Sequence, residues 1–135
     1  MYLNDQLLDA VANSNLLSVK ELLNSGANVN AHDGDFVTAL QIAAARGDDE
    51  MVNLLINHGA DVTKADQLGF SPFLRAIYGG HLKVIETLLL HYPSPEMATK
   101  ETTYLGATPM TLACSGGHIK NEKIGHLVVV NILPK

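Results

Sequence analysis

The chain has 135 residues, 47% of them hydrophobic, and a formal net charge of −5; this is the length of one domain, and its apolar content excludes a disordered segment. The charge is uneven: three basic against nine acidic residues through Ala65 give −6, and six against five from Asp66 give +1, which argues against a nucleic-acid backbone as partner. One cysteine, Cys114, excludes an internal disulfide and fits a reducing intracellular compartment, the cytoplasm.

The first segment begins almost directly with a helix, in which Leu7, Leu8 and Val11 have helical spacing. Ser14 and Asn15 interrupt it. Val19, Leu22 and Leu23 form a second apolar stripe that Gly26 closes. The next segment, Asp33 to Ala65, opens on a turn at Asp33 and Gly34. Thr38 is a good helix N-cap, a run of small residues follows from Ala39 to Ala45, and Gly47 ends it. Met51, Val52, Leu54, Leu55 and Ile56 carry a second helix, and Gly59 stops it. Gly26-Ala27-Asn28-Val29-Asn30 stands 33 positions before Gly59-Ala60-Asp61-Val62-Thr63, and Val19/Val52 and Leu22/Leu55 keep that offset. A fixed period of this size is the mark of a repeat solenoid.

Asp66, Ser71 and Gly80 each follow their counterparts in the second segment by 33 positions. Ser71-Pro72 is a strong helix start. Val84, Ile85, Leu88 and Leu89 give the following stripe, and Tyr92-Pro93-Ser94-Pro95 then replaces the closing turn. Thr108-Pro109 comes 37 positions after Ser71-Pro72, which requires a four-residue insertion within Pro93 to Thr103. The apolar residues Val129, Val130 and Leu133 place the last helix after Gly125-His126, with Gly116 to Gly125 as an enlarged turn.

Asp33, Thr38 to Ala44, Gly47 and Gly59-Ala60-Asp61-Val62, with Ser71-Pro72, Gly80-His81, Leu88-Leu89, Thr108-Pro109 and Leu112-Ala113, resemble the ankyrin repeat family. The resemblance implies an all-α solenoid of about four stacked helix–turn–helix repeats with hairpin-like turns. The terminal repeats are degenerate. The whole chain forms one domain, with repeats at about 4–32, 33–65, 66–102 and 103–135. The histidine expected after the Thr-Pro-Leu run is Gln41, Leu74 or Thr111, which should loosen a side-chain hydrogen-bond ladder. A helix pair cannot bury its stripe alone, so neighbours must cover it and end repeats need a polar outer face.

In such a fold, binding residues sit on the turn tips and on the exposed side of the inner helices. By register these are Asp35, Phe36, Val37 and Arg46; then Gln67, Leu68, Phe70 and Tyr78; then Tyr104, Leu105 and Ser115. Aromatic residues and arginine are favoured interface anchors. The expected partner is a protein or peptide, not a nucleic acid, and no apolar run is long enough to insert in a membrane. The apolar C-terminal helix offers a route to self-association. The alternative is a targeting or regulatory module of a larger enzyme or effector. The six histidines match no zinc-ligand spacing, Cys114 reads as a buried thiol, and neither a catalytic site nor a cofactor is expected.

Overall fold

A computed structural model describes residues 2–118 and 121–126. Its helices are α1 (Tyr2–Ala12), α2 (Leu16–Asn24), α3 (Ala39–Arg46), α4 (Asp49–Asn57), α5 (Pro72–Gly79), α6 (Leu82–Leu90), α7 (Pro95–Thr99) and α8 (Pro109–Ser115). Residues 122–126 are also helical. The inner helices α3, α5 and α8 start alike. Thr38, Ser71 and Thr108 are extended, and their hydroxyl oxygens accept the backbone N–H of Gln41, Leu74 and Thr111. Each bond satisfies a donor that helix geometry leaves orphaned. Pro72 and Pro109 occupy the first turn, where a missing N–H costs nothing.

The inner helices also stop alike. Gly47 and Gly80 cap α3 and α5 at φ of 72° and 71°. The chain then turns back: Asp48 N–H donates to the carbonyl of Ala43, and His81 N–H to that of Ala76, each at 3.0 Å. Asp48 caps α4 through its side chain. His81 makes no such cap bond; its Nε2 lies 2.9 Å from the Ala45 carbonyl, and its ring fills the space over Gly47 and Gly79.

α1, α3, α5 and α8 pack side by side as an inner row, and α4 packs on α6 behind it. Ala39, Ala43, Ala44, Ala76 and Ala113 are buried at this seam beside Leu7, Val11, Leu40, Leu74 and Ile77. Each larger side chain so buried contributes about 1.5–3 kcal/mol. Polar bonds tie neighbouring units. Asn30 Oδ1 accepts the Asp61 N–H at 2.7 Å, Asn30 Nδ2 donates to the Gly59 carbonyl at 3.2 Å, and Gln41 Nε2 donates to the Lys64 carbonyl at 2.9 Å. Gln41 sustains one rung of the side-chain ladder, with its buried Oε1 unpartnered. Leu74 has no polar group to offer, and Thr111 turns back into a capping box with Thr108.

The insertion folds onto the body. α7 buries Ala98 and Thr99. Glu101 accepts the hydroxyl of Ser71 and, at 2.8 Å, that of Tyr92. The Tyr92 ring meets Phe73 edge-on, with centroids 6.1 Å apart. Burial pushes the Glu101 carboxyl above the ordinary carboxylate range, and the two hydroxyl bonds oppose that only in part.

Two expectations are corrected in the fourth unit. Gly117 has φ 78° and His118 N–H donates to the Ala113 carbonyl at 2.8 Å, so Gly117-His118 is the true counterpart of Gly80-His81. Asn121 Oδ1 then accepts from Lys123 and Ile124 N–H, and Gly125 N–H donates to the Asn121 carbonyl at 2.8 Å. Gly125 therefore lies inside a helix rather than ahead of one, and the enlarged turn ends by Asn121. The run Val128 to Leu133 lies outside the described residues. Cys114 is exposed, not buried. Its counterparts Ala44 and Ile77 are covered by the next inner helix; among the described residues α8 has none beyond it.

Two measurements test these junctions. Gly59 has φ 90° with open space around it, whereas a Cβ on Gly80 would strike the His118 ring. In urea denaturation Gly59→Ala should lose about 1 kcal/mol, for the left-handed backbone alone, and Gly80→Ala clearly more. Equal losses would mean that the ring yields freely. For Glu101, a raised folded-state pKa makes its contribution to stability greatest at acid pH. That contribution is lost as pH rises through the raised value. Glu101→Gln should therefore match or exceed the wild type at pH 7, with an advantage that shrinks on acidification. Glu101→Ala should lose about 1–3 kcal/mol for the partly buried bonds to Ser71 and Tyr92 left unmade. An advantage of the glutamine variant that grows in acid would contradict the costly charge.

Candidate partner-binding groove

Three turn tips project ahead of α3, α5 and α8, and carboxylates or a hydroxyl organise them. Asp33 Oδ1 accepts the N–H of Asp35 and Val37 at 2.8 and 3.0 Å. Asp66 Oδ1 accepts those of Leu68 and Phe70, both at 2.9 Å. Thr103 Oγ1 accepts that of Ala107 at 3.0 Å. Each tip needs one left-handed residue: Gly69 and Gly106 supply it without a Cβ, and Phe36 adopts it at φ 64°. The Phe36 ring packs on His32, with centroids 4.8 Å apart.

The tips are joined in a row. Gln67 N–H donates to the Asp35 carbonyl at 2.9 Å, and Tyr104 N–H to the Leu68 carbonyl at 3.0 Å. The side chains left outside are large and apolar: Phe36 is 50% exposed, Leu68 57%, Tyr104 72% and Leu105 95%. Asp35 and Gln67 are exposed beside them. On the inner helices Tyr78 is 48% exposed, and Arg46 and Ser115 are exposed. Val37 and Phe70 are half-buried and act as walls. Phe70 lies 4.0 Å beneath the Arg75 guanidinium, which is paired with the buried Asp66 carboxylate.

Two adjoining hollows lie between the tips. One, about 360 Å³, is lined by Asp35, Val37, Asp66, Gln67, Leu68 and Arg75. The other, about 330 Å³, is lined by Phe36, Ala65, Asp66, Gln67 and Tyr104. The structure thus brings together Asp35, Phe36, Val37, Gln67, Leu68 and Tyr104. Arg46, Tyr78, Leu105 and Ser115 line neither hollow, and Phe70 enters only through Arg75. Reading the chain by register missed Asp66, Ala65 and Arg75. Arg75 did leave a signal, because a basic residue stands where the other units have Ile42 and Leu112. Among the described residues no group of three or more His, Cys, Asp or Glu side chains could hold a metal ion, and no helix is long and apolar enough to cross a membrane.

A family model of ankyrin repeats, in three copies, matches residues 7–100. The chain belongs to the ankyrin repeat family. Human ankyrin repeat domain-containing protein 63 is 36% identical over 100 residues, covering 74% of this chain and 26% of that protein. Serine/threonine-protein kinase 12 of Arabidopsis thaliana is 39% identical over 80 residues, or 59% of this chain and 17% of the kinase. The E3 ubiquitin-protein ligase XBAT33 of the same plant is 29% identical over 132 residues, or 96% of this chain and 25% of the ligase. The chain spans about a quarter or less of the length of these relatives. Ankyrin repeats are in general protein–protein interaction modules and are typically non-catalytic.

The two tip carboxylates differ in burial, which separates their roles. Asp66→Ala strands two backbone donors and a guanidinium, and should cost about 3 kcal/mol in urea denaturation. At Asp33, which is exposed, water can replace the carboxylate, and Asp33→Ala should cost less than about 1 kcal/mol. Losses of equal size would show that the Arg75 pair adds nothing.

Proposed function

We propose that this chain recognises a protein or peptide partner through its turn tips and the exposed side of its inner helices, with no chemistry of its own. One observation carries the reading. Phe36, Leu68, Tyr104 and Leu105 hold large apolar surfaces in water along one row of joined tips, and Tyr78 does so on α5; exposed apolar surface of that kind marks interaction sites. Asp35, Val37, Arg46, Gln67, Phe70 and Ser115 complete the surface as rim and wall. The scaffold is four stacked units of one domain, at about 4–32, 33–65, 66–102 and 103–135, and its rigidity limits the ordering entropy that opposes binding. A reducing intracellular setting suits a chain whose one cysteine is a free, exposed thiol.

A second reading is supported by the relatives: the same surface is the recognition module of a larger enzyme or effector. Two of those relatives are named a kinase and a ubiquitin ligase, and the match covers 17% and 25% of them. Light scattering bears on this, because association through the apolar Val128 to Leu133 run favours a segment that is covered in its parent.

The double variant Tyr78→Ala/Tyr104→Ala tests the surface. Affinity capture followed by mass spectrometry should lose a partner that the wild type retains. Thermal stability should change little, since exposed substitutions stay within about 0.5 kcal/mol. A collapse of stability, or an unchanged partner, would remove the tyrosines from the interface.

A further inference from the structure

We infer that the two hollows flanking Gln67 take an extended peptide that carries a basic side chain next to an apolar or aromatic one. The inference rests on the surface proposed above and names its ligand chemistry. The first hollow holds two carboxylates and one guanidinium, Asp35, Asp66 and Arg75. Asp66 and Arg75 are paired with each other, and Arg75 is further held on the Phe70 ring. The Asp35 carboxylate is exposed and accepts no hydrogen bond from the described residues. The charge left for a ligand is therefore negative. An acidic ligand would find little here. The tip N–H groups that could cradle an anion are already donating: Asp35 and Val37 to Asp33, Leu68 and Phe70 to Asp66, and Gln67 and Tyr104 to the preceding tips. The −6 charge of residues 1–65 adds long-range attraction for a basic segment.

The second hollow differs in character. Phe36, Tyr104 and Ala65 line it together with Asp66 and Gln67, and its two aromatic rings make a setting for an apolar or aromatic side chain. Both hollows include Gln67, whose exposed side-chain amide offers a donor and an acceptor to a peptide backbone crossing between them. Between neighbouring tips the facing backbone groups are already bonded to each other, Gln67 N–H to the Asp35 carbonyl and Tyr104 N–H to the Leu68 carbonyl, so the peptide does not add as a strand at the hollows. Side-chain recognition by the two hollows is what remains.

The test uses the full chain and a phage-displayed library of random linear peptides. Enriched peptides are then synthesised and titrated by fluorescence anisotropy. The expected consensus is Lys or Arg close to an aromatic or large aliphatic residue. Asp35→Asn should weaken these peptides up to about fivefold, the scale of one exposed ion pair, and added salt should do the same. Asp35→Lys should shift selection toward acidic residues, and Tyr104→Ala should erase the apolar preference. Peptides lost on Tyr78→Ala/Tyr104→Ala but indifferent to Asp35→Asn would overturn this inference and leave the surface standing. Peptides indifferent to every one of these variants, or no enrichment over bare support, would overturn both.

Discussion

No helix pair in this chain can bury its own apolar stripe, and every other feature follows from that. The inner helices α3, α5 and α8 have seven to eight residues and no stability alone. They persist because α3 lies against α5 and α5 against α8. That approach requires small residues at the contact, which Ala43, Ala44, Ala76 and Ala113 supply. It also requires abrupt helix ends, because each chain must reverse within a residue or two. Hydroxyl caps at one end and left-handed glycines at the other provide them. The His81 ring filling the space over Gly47 shows how tightly these reversals nest.

The turn tips obey a different rule. Backbone polar groups there must be satisfied without a regular sheet. The solution is local: Asp33 and Asp66 each accept two N–H groups of their own tip, the Thr103 hydroxyl accepts one, and Gln67 and Tyr104 N–H pass to the carbonyl of the tip before. Between neighbouring tips the row consequently presents side chains rather than backbone N–H groups to solvent. Recognition at the hollows between the tips therefore falls to side-chain chemistry, and that chemistry varies between units. Asp35, Leu68 and Leu105 share one register position, as do Gly34, Gln67 and Tyr104. A uniform scaffold thus carries a non-uniform surface, acidic at one end and apolar at the other.

The helix pairs of the middle units were legible because glycines, caps and apolar stripes recur at one offset. The fourth unit was misread because the apolar run from Leu127 to Leu133 outweighed a weaker but better signal. Gly117-His118 repeats a backbone reversal, which depends on a left-handed residue and one carbonyl bond, not on hydrophobicity. Three extra positions between that reversal and the helix then displaced the stripe. Cys114 failed for another reason: register gives a position, whereas burial depends on whether a next helix exists to cover it. At the tips, register placed Phe36, Leu68 and Tyr104 correctly on the outside. It could not show that Arg75 folds over Phe70 onto Asp66, since that contact joins a tip to a helix and belongs to this unit alone.

The insertion shows how the array absorbs irregularity without losing its edge. Four extra residues between the third and fourth units could have moved the third tip out of line, yet Tyr104 N–H still meets the Leu68 carbonyl at 3.0 Å. Glu101, three residues before Tyr104, is fixed by Ser71 at the start of α5 and by Tyr92 at the end of α6. The surplus length is consumed upstream, in α7. A half-buried carboxylate without a cationic partner is a costly anchor, and a neutral amide of the same shape would avoid that cost. What the anchor secures is position: the chain re-enters the tip row at the place where regular spacing would have left it. The third tip, with its exposed Tyr104 and Leu105, is therefore held in the groove by a contact that is not part of the groove.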